Sequence, residues 1–173
     1  MKRFVAFAIV LLCNSVAFGM QDAGWVKFNS ALGNFSVLMP CTPKENKETK
    51  DSPLGPYTSY IFNCTSPERE IFLAGWVDYD PKFIFNPQKE LEANRDNFVT
   101  GVKAVLGSST NISYRGYQGM EFDCSTDQVT FKSRVFIVGK RPYMLVIAYL
   151  KGSERPQHVN RFFSSFDPGR TGT

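Results

Sequence analysis

Apolar and polar residues alternate in short runs along most of the chain, and two stretches instead repeat at helical spacing. Residues 25–29 and 35–39 read as short strands around the turn Ala31-Leu32-Gly33-Asn34, with Phe35, Val37 and Met39 on one face. Residues 57–64 alternate again, and after a turn over 65–70 the run 71–78 forms a hairpin partner. Between these pairs, prolines 40, 43, 53 and 56 mark a polar connection. Within it, the run 44–51 balances Lys44, Lys47 and Lys50 against Glu45, Glu48 and Asp51 and contains nothing apolar. It predicts a solvated loop.

Asn86-Pro87 predicts a helix start, because Asn caps free backbone amides and Pro suits the first helical position. Leu91, Arg95, Phe98, Val102 and Val105 fall on one stripe, the Arg95 stem covering the core edge, and Gly107 marks the end. Strands follow at 112–115, 119–124, 129–138 and 143–149, joined by turns containing Gly, Asp or Pro. The last is apolar on both faces and reads as central. A closing helix after Ser153 places Val159, Phe162, Phe163 and Phe166 on one stripe. Hairpin connections predict a mainly antiparallel sheet of about six to seven strands, flanked by two amphipathic helices. The expected class is α+β, in α/β/α layers, as one domain over 20–173.

The N-terminus changes the picture of where such a domain works. Lys2 and Arg3 precede an apolar run over 4–13, and Ala17-Phe18-Gly19 supplies small residues behind it. That is the pattern of a secretory signal peptide over 1–19, cut after Gly19 or after Ala17. The run is too short for a membrane span of about 20 residues. Cys13 falls within its apolar core rather than behind a small residue, which does not fit a lipid attachment site. The formal net charge of +4 drops to +2 without Lys2 and Arg3, and basic residues intermix with acidic ones. No nucleic-acid partner is expected from that balance, and no integral membrane segment after processing. The expected location is periplasmic or extracellular.

Export also bears on Cys41, Cys64 and Cys124. They read either as one disulfide plus a thiol or as three buried thiols. Were 35–39 and 57–64 a hairpin, Cys41 would lie near its loop and Cys64 at its open end, too far apart to bond. A crossover helix would bring Cys124 to the Cys41 end, so the expected pair is Cys41–Cys124.

Candidate chemistry is sparse. His158 is the only histidine and sits on the polar side of the last helix, where it reads as a solvated residue rather than a catalytic base. No Cys-x-x-Cys pair, histidine cluster or phosphate-cradling glycine loop occurs, so no cofactor is expected. Asp78 and Asp80 point the same way if their strand continues through Tyr79, which makes them weak candidates for a hard cation. Glu121 and Asp123 stand in the same position, and otherwise all four are solvated carboxylates. Asn63 and Asn111 begin glycosylation-type triplets that chance explains. Trp25, Tyr57, Tyr60, Trp76, Tyr79, Phe83 and Phe85 pack in the core, or else some of them line an exposed apolar surface.

Four segments resemble the PsbP-like family: the Phe35-Ser36-Val37-Leu38-Met39-Pro40 start, the turn Gly116-Tyr117-Gln118-Gly119-Met120-Glu121-Phe122, the run from Arg134 through Gly139-Lys140-Arg141-Pro142 to Tyr143, and Phe162-Phe163-Ser164-Ser165-Phe166. The resemblance spans nearly all of the chain after the export signal and points to an exported bacterial branch. It implies an antiparallel sheet between helices, a fold shared with the yeast Ran-release factor. It also implies a non-catalytic assembly or stabilising role, in places linked to calcium, chloride or manganese, and it transfers no site residue. The leading expectation is therefore a non-enzymatic interaction or assembly module with an unknown protein partner. A binding protein for a small apolar ligand is the alternative, and a hydrolase with a carboxylate site the third reading.

Overall fold

The computed structural model describes residues 24–52 and 55–169. The strands are β1 (Val26–Ser30), β2 (Phe35–Met39), β3 (Lys44–Lys50), β4 (Tyr57–Thr65), β5 (Ile71–Tyr79), β6 (Val105–Tyr114), β7 (Tyr117–Ser125), β8 (Val129–Val138), β9 (Arg141–Leu150) and β10 (Asp167–Pro168). Helix α1 (Pro87–Gly101) lies between β5 and β6, and α2 (Pro156–Ser164) between β9 and β10. Seven strands form one antiparallel sheet in the order β3-β4-β5-β9-β8-β7-β6. The others form a small sheet in the order β1-β2-β10. The α+β class is as expected from the sequence, and the central position of β9 follows from its two apolar faces.

Strand alternation divides the core between two layers. Phe136 and Val138 of β8 point with Tyr143, Leu145 and Ile147 of β9 into the main cluster, which the small sheet and α2 cover through Phe35, Val37, Met39, Phe162 and Phe163. Val135 and Ile137 point the other way and meet Leu91, Phe98 and Val99 of α1. The main cluster contains eighteen buried residues against five under α1, so the larger share of burial free energy lies on the α2 side. Phe166 is 1% exposed although it lies beyond the end of α2, stacked on Phe136 at 5.5 Å. The Leu38 N–H donates to Ser165 Oγ at 2.9 Å, which ties the end of α2 to β2.

Three expectations are corrected here. The charged run at 44–51 is strand β3, paired with β4 from Lys44↔Asn63 to Lys50↔Tyr57. Every residue of β3 is exposed, so no buried face imposed alternation on its sequence, and its lysines suit a sheet edge that must not pair further. Helix α1 ends at Gly101, and Val105 starts β6 at 75% exposure. The chain leaves the helix where Lys103 takes a left-handed φ of 54°, so the match of Val105 to the helical stripe is accidental. Finally, β1 and β2 do not enter the large sheet, because β3 rather than β2 takes the edge of β4. The segment read as an export signal lies outside the described residues, as does Pro53. No helix among the described residues is long and apolar enough to cross a membrane.

Candidate functional site

The end of the β4–β5 hairpin builds a concave aromatic surface. Register places Tyr57 opposite Tyr79, their rings 6.2 Å apart. Beyond β5 the Asp80 N–H donates to Pro56 O at 3.1 Å, and Asp80 Oδ1 accepts the Lys82 N–H at 2.8 Å. This turn folds Phe83 back onto Tyr79, with ring centres 4.6 Å apart. Phe85 meets Phe83 edge-on at 6.1 Å. Asn86 then starts α1, its Oδ1 accepting the Lys89 N–H at 3.0 Å as the sequence predicts. Between the hairpin end and α1 lies a cleft of about 450 Å³, lined by Tyr57, Val77, Tyr79, Asp80, Phe83, Glu90, Ala93, Asn94 and Asn97, with Ser52, Gly55 and Pro56 at its rim. Clefts of roughly 300–1,000 Å³ are the usual size of small-molecule sites.

The polar centre of this cleft is Glu90, 7% exposed in the first turn of α1. Its Oε1 accepts the Tyr79 hydroxyl in a short hydrogen bond and the Asn94 Nδ2 at 2.8 Å. Burial, and then the Glu90 hydrogen bond, raise the Tyr79 phenol well above its ordinary range. Among the described residues no Lys, Arg or His forms an ion pair with Glu90. An unpaired buried carboxylate costs several kcal/mol. A helix N-terminus offsets about 0.3–1 kcal/mol of that, rarely 2, and two hydrogen bonds from neutral groups offset a further part.

The seven aromatics singled out in the sequence divide between two places. Tyr57, Tyr79 and Phe83 line the cleft, and Phe85 joins Tyr79 and Phe83 at a neighbouring depression of about 290 Å³. Tyr60 and Trp76 stack at 4.5 Å within the main core, and Trp25 packs edge-on against Phe72. Asp78 and Asp80 do share that second depression, beside Lys140 and Arg141. There Asp78 Oδ1 accepts Arg141 Nε at 2.7 Å and its Oδ2 accepts Trp76 Nε1 at 3.2 Å. A carboxylate so engaged, with two cationic side chains alongside, is a poor ligand for a metal cation. Glu121 pairs with Arg134, and Asp123 with Lys132 and the Ser108 hydroxyl. The described residues contain no group of three or more His, Cys, Asp or Glu suited to a metal ion.

The disulfide expectation is overturned. Cys41 bonds to Cys64, with Cα atoms 6.0 Å apart, and Cys124 is a free buried thiol. The Lys44↔Asn63 register of β3 on β4 brings the chain just before β3 alongside Cys64. Cys124 in β7 is four strands from β4, about 19 Å at sheet spacing, well past the ~7 Å reach of a bridge. Burial first, and the nearby Asp123 charge second, push the Cys124 thiol up to about 11 from 9.0. Cys124 should therefore resist alkylation by iodoacetamide at pH 8, read at its own peptide by mass spectrometry, and react only on unfolding; fast labelling of Cys124 in the native state would contradict this burial. Since the folded value is the higher one, the associated stability is complete below about pH 9 and is lost as pH rises toward about 11, up to roughly 2 kcal/mol.

His158 is not solvated, as the helical pattern suggests, but 16% exposed. Its Nδ1 lies 2.5 Å from Oε2 of Glu70, which is fully buried, and the Trp25 ring stands 5.6 Å away, edge-on. Arg155 Nη1 reaches to 3.8 Å from Glu70 Oε1. The missed signal is Glu70 itself, a carboxylate read as a turn residue that opens β5 from the inside of the fold. The arrangement fastens α2 to β5.

These layers, a large antiparallel sheet between a helix and a helix-plus-small-sheet layer, define an α+β protein with a PsbP-like fold. The chain is similar to the solution structure of cyanobacterial PsbP (CyanoP) from Synechocystis sp. PCC 6803, at a TM-score of 0.55 over 86% of this chain and 95% of that one, with 9% sequence identity. A crystal structure from Bacteroides thetaiotaomicron VPI-5482 also matches, at 15% identity and a TM-score of 0.42; the chain covers 49% of that protein. No family model and no curated protein matches the sequence.

Proposed function

We propose that this protein is an exported, non-enzymatic binding protein that holds a small, largely apolar ligand in the aromatic cleft beside α1. The observation that carries the reading is the cleft itself: about 450 Å³, walled by Tyr57, Tyr79 and Phe83, with one buried polar centre at Glu90. Apolar walls with few convergent polar groups are the usual design of a ligand site. Export is supported by the N-terminal sequence pattern and by the Cys41–Cys64 bridge, which persists in an oxidising compartment.

Ala93 is exposed on α1 and lines the cleft, so Ala93→Trp blocks it without touching the core. The full chain should bind the neutral fluorescent probe N-phenyl-naphthylamine, and the variant about tenfold more weakly or not at all. Equal binding by both proteins, or none by the parent, would sink the reading.

The interaction or assembly module remains a second reading with one observation of its own. Ile84 is 92% exposed in the loop between β5 and α1 and lines a depression of about 420 Å³ with Lys82, Phe83, Lys89, Glu90 and Ala93, of which Phe83, Glu90 and Ala93 also line the cleft. An isolated exposed apolar side chain on a concave surface suits a protein contact.

A further inference from the structure

The cleft beside α1 has an acidic lining. The described residues lining it include two carboxylates, Asp80 and Glu90, and no Lys, Arg or His. Lys82 and Lys89 line a depression that shares Phe83, Glu90 and Ala93 with the cleft, and Lys140 and Arg141 line one that shares Tyr79, Asp80 and Phe83 with it, but neither pair reaches the cleft lining itself. Glu90 is 93% removed from solvent, yet its hydrogen-bond partners, Tyr79 and Asn94, are both neutral. An external cation can supply the counter-ion that the described residues do not place beside Glu90. Tyr57, Tyr79 and Phe83 bring three π-systems to the same cavity, and ring faces attract cations that are weakly hydrated. A hard metal ion needs about six to eight oxygen ligands, which these walls do not provide.

We propose that the cleft takes an organic ammonium ion, its apolar groups against the aromatic walls and its charge beside Glu90. Tyr79 is suited to this position because burial keeps its phenol protonated, so its hydroxyl donates to Glu90 while its ring, stacked on Phe83, forms part of the aromatic wall. Asp80, also in the lining, adds to the negative field of the cleft. The assignment rests on the ligand-binding reading above and adds the sign of the ligand to it.

Displacement of N-phenyl-naphthylamine from the full chain tests both. Choline chloride should displace the probe at about tenfold lower concentration than dimethylbutanol, its neutral isostere, with sodium chloride as the salt control. Glu90→Gln keeps an oxygen for Tyr79 and Asn94 but removes the charge, so choline binding read by calorimetry should fall about tenfold and choline should lose its advantage over dimethylbutanol. If both compounds displace the probe equally, or neither does, while Ala93→Trp still blocks probe binding, the ammonium assignment falls and the binding reading stands. A choline preference that survives in Glu90→Gln also overturns the assignment. Should the parent chain bind neither the probe nor choline by calorimetry, both readings fall together.

Discussion

A His158→Ala variant should lose about 3 kcal/mol of unfolding free energy, far more than removal of a surface residue costs. His158 supplies the close partner of Glu70, which has no exposure of its own. Arg155, at 3.8 Å, is too distant to satisfy the Glu70 oxygen it faces, and neither atom has a hydrogen-bond partner. Deleting the imidazole therefore leaves the buried carboxylate with only the long 3.8 Å contact to Arg155 and also removes the edge contact to Trp25. The double variant Glu70→Leu/His158→Leu provides the discriminating measurement, because an apolar pair of similar volume avoids the desolvation cost and should recover most of the loss. Urea unfolding of the parent, single and double variants reads the three values directly. A double variant as unstable as the single would show that the cost arises from packing of α2 and not from the charge.

Opening the Cys41–Cys64 bridge should cost a similar amount. The two residues are 23 apart in sequence, and closing a loop of that size restricts the unfolded chain by about 3 kcal/mol on the chain-entropy account. The bridge joins the connection after β2 to the end of β4, so it fastens the small sheet to an outer strand of the large one. A Cys41→Ala/Cys64→Ala protein should unfold at correspondingly lower urea, while Cys124→Ala should keep the bridge. Mass spectrometry of a non-reduced digest provides the direct check. A peptide joining Cys41 to Cys124 would contradict the fold at the level of strand order.

The cleft shows how much of a site a sequence can reveal. Seven aromatics carry two readings in the sequence, core packing or an exposed apolar surface, and three of them, Tyr57, Tyr79 and Phe83, line the cleft. Glu90 did not stand out, since a Glu early in a helix is explained by the helix dipole alone. Only the Tyr79 hydroxyl, brought over α1 by the end of β5, shows that this carboxylate is buried. For Asp78 the opposite happened: a shared strand face with Asp80 suggested a cation site, and Arg141, sixty-three residues away in sequence, occupies the carboxylate.

By itself the sequence determined what depends on near neighbours. The period-two and helical patterns located most of the strands and both helices, Asn86-Pro87 marked the start of α1, and hairpin-length turns made the large sheet antiparallel. Those features arise from contacts within a few residues, where side-chain direction follows directly from backbone period. The tertiary structure decided what depends on strand order. It put β3 rather than β2 at the edge of β4, paired Cys41 with Cys64, set His158 against Glu70 and closed α1 over Tyr79. Each of these joins segments whose local patterns fit more than one neighbour, and burial across the whole sheet is what selects among them.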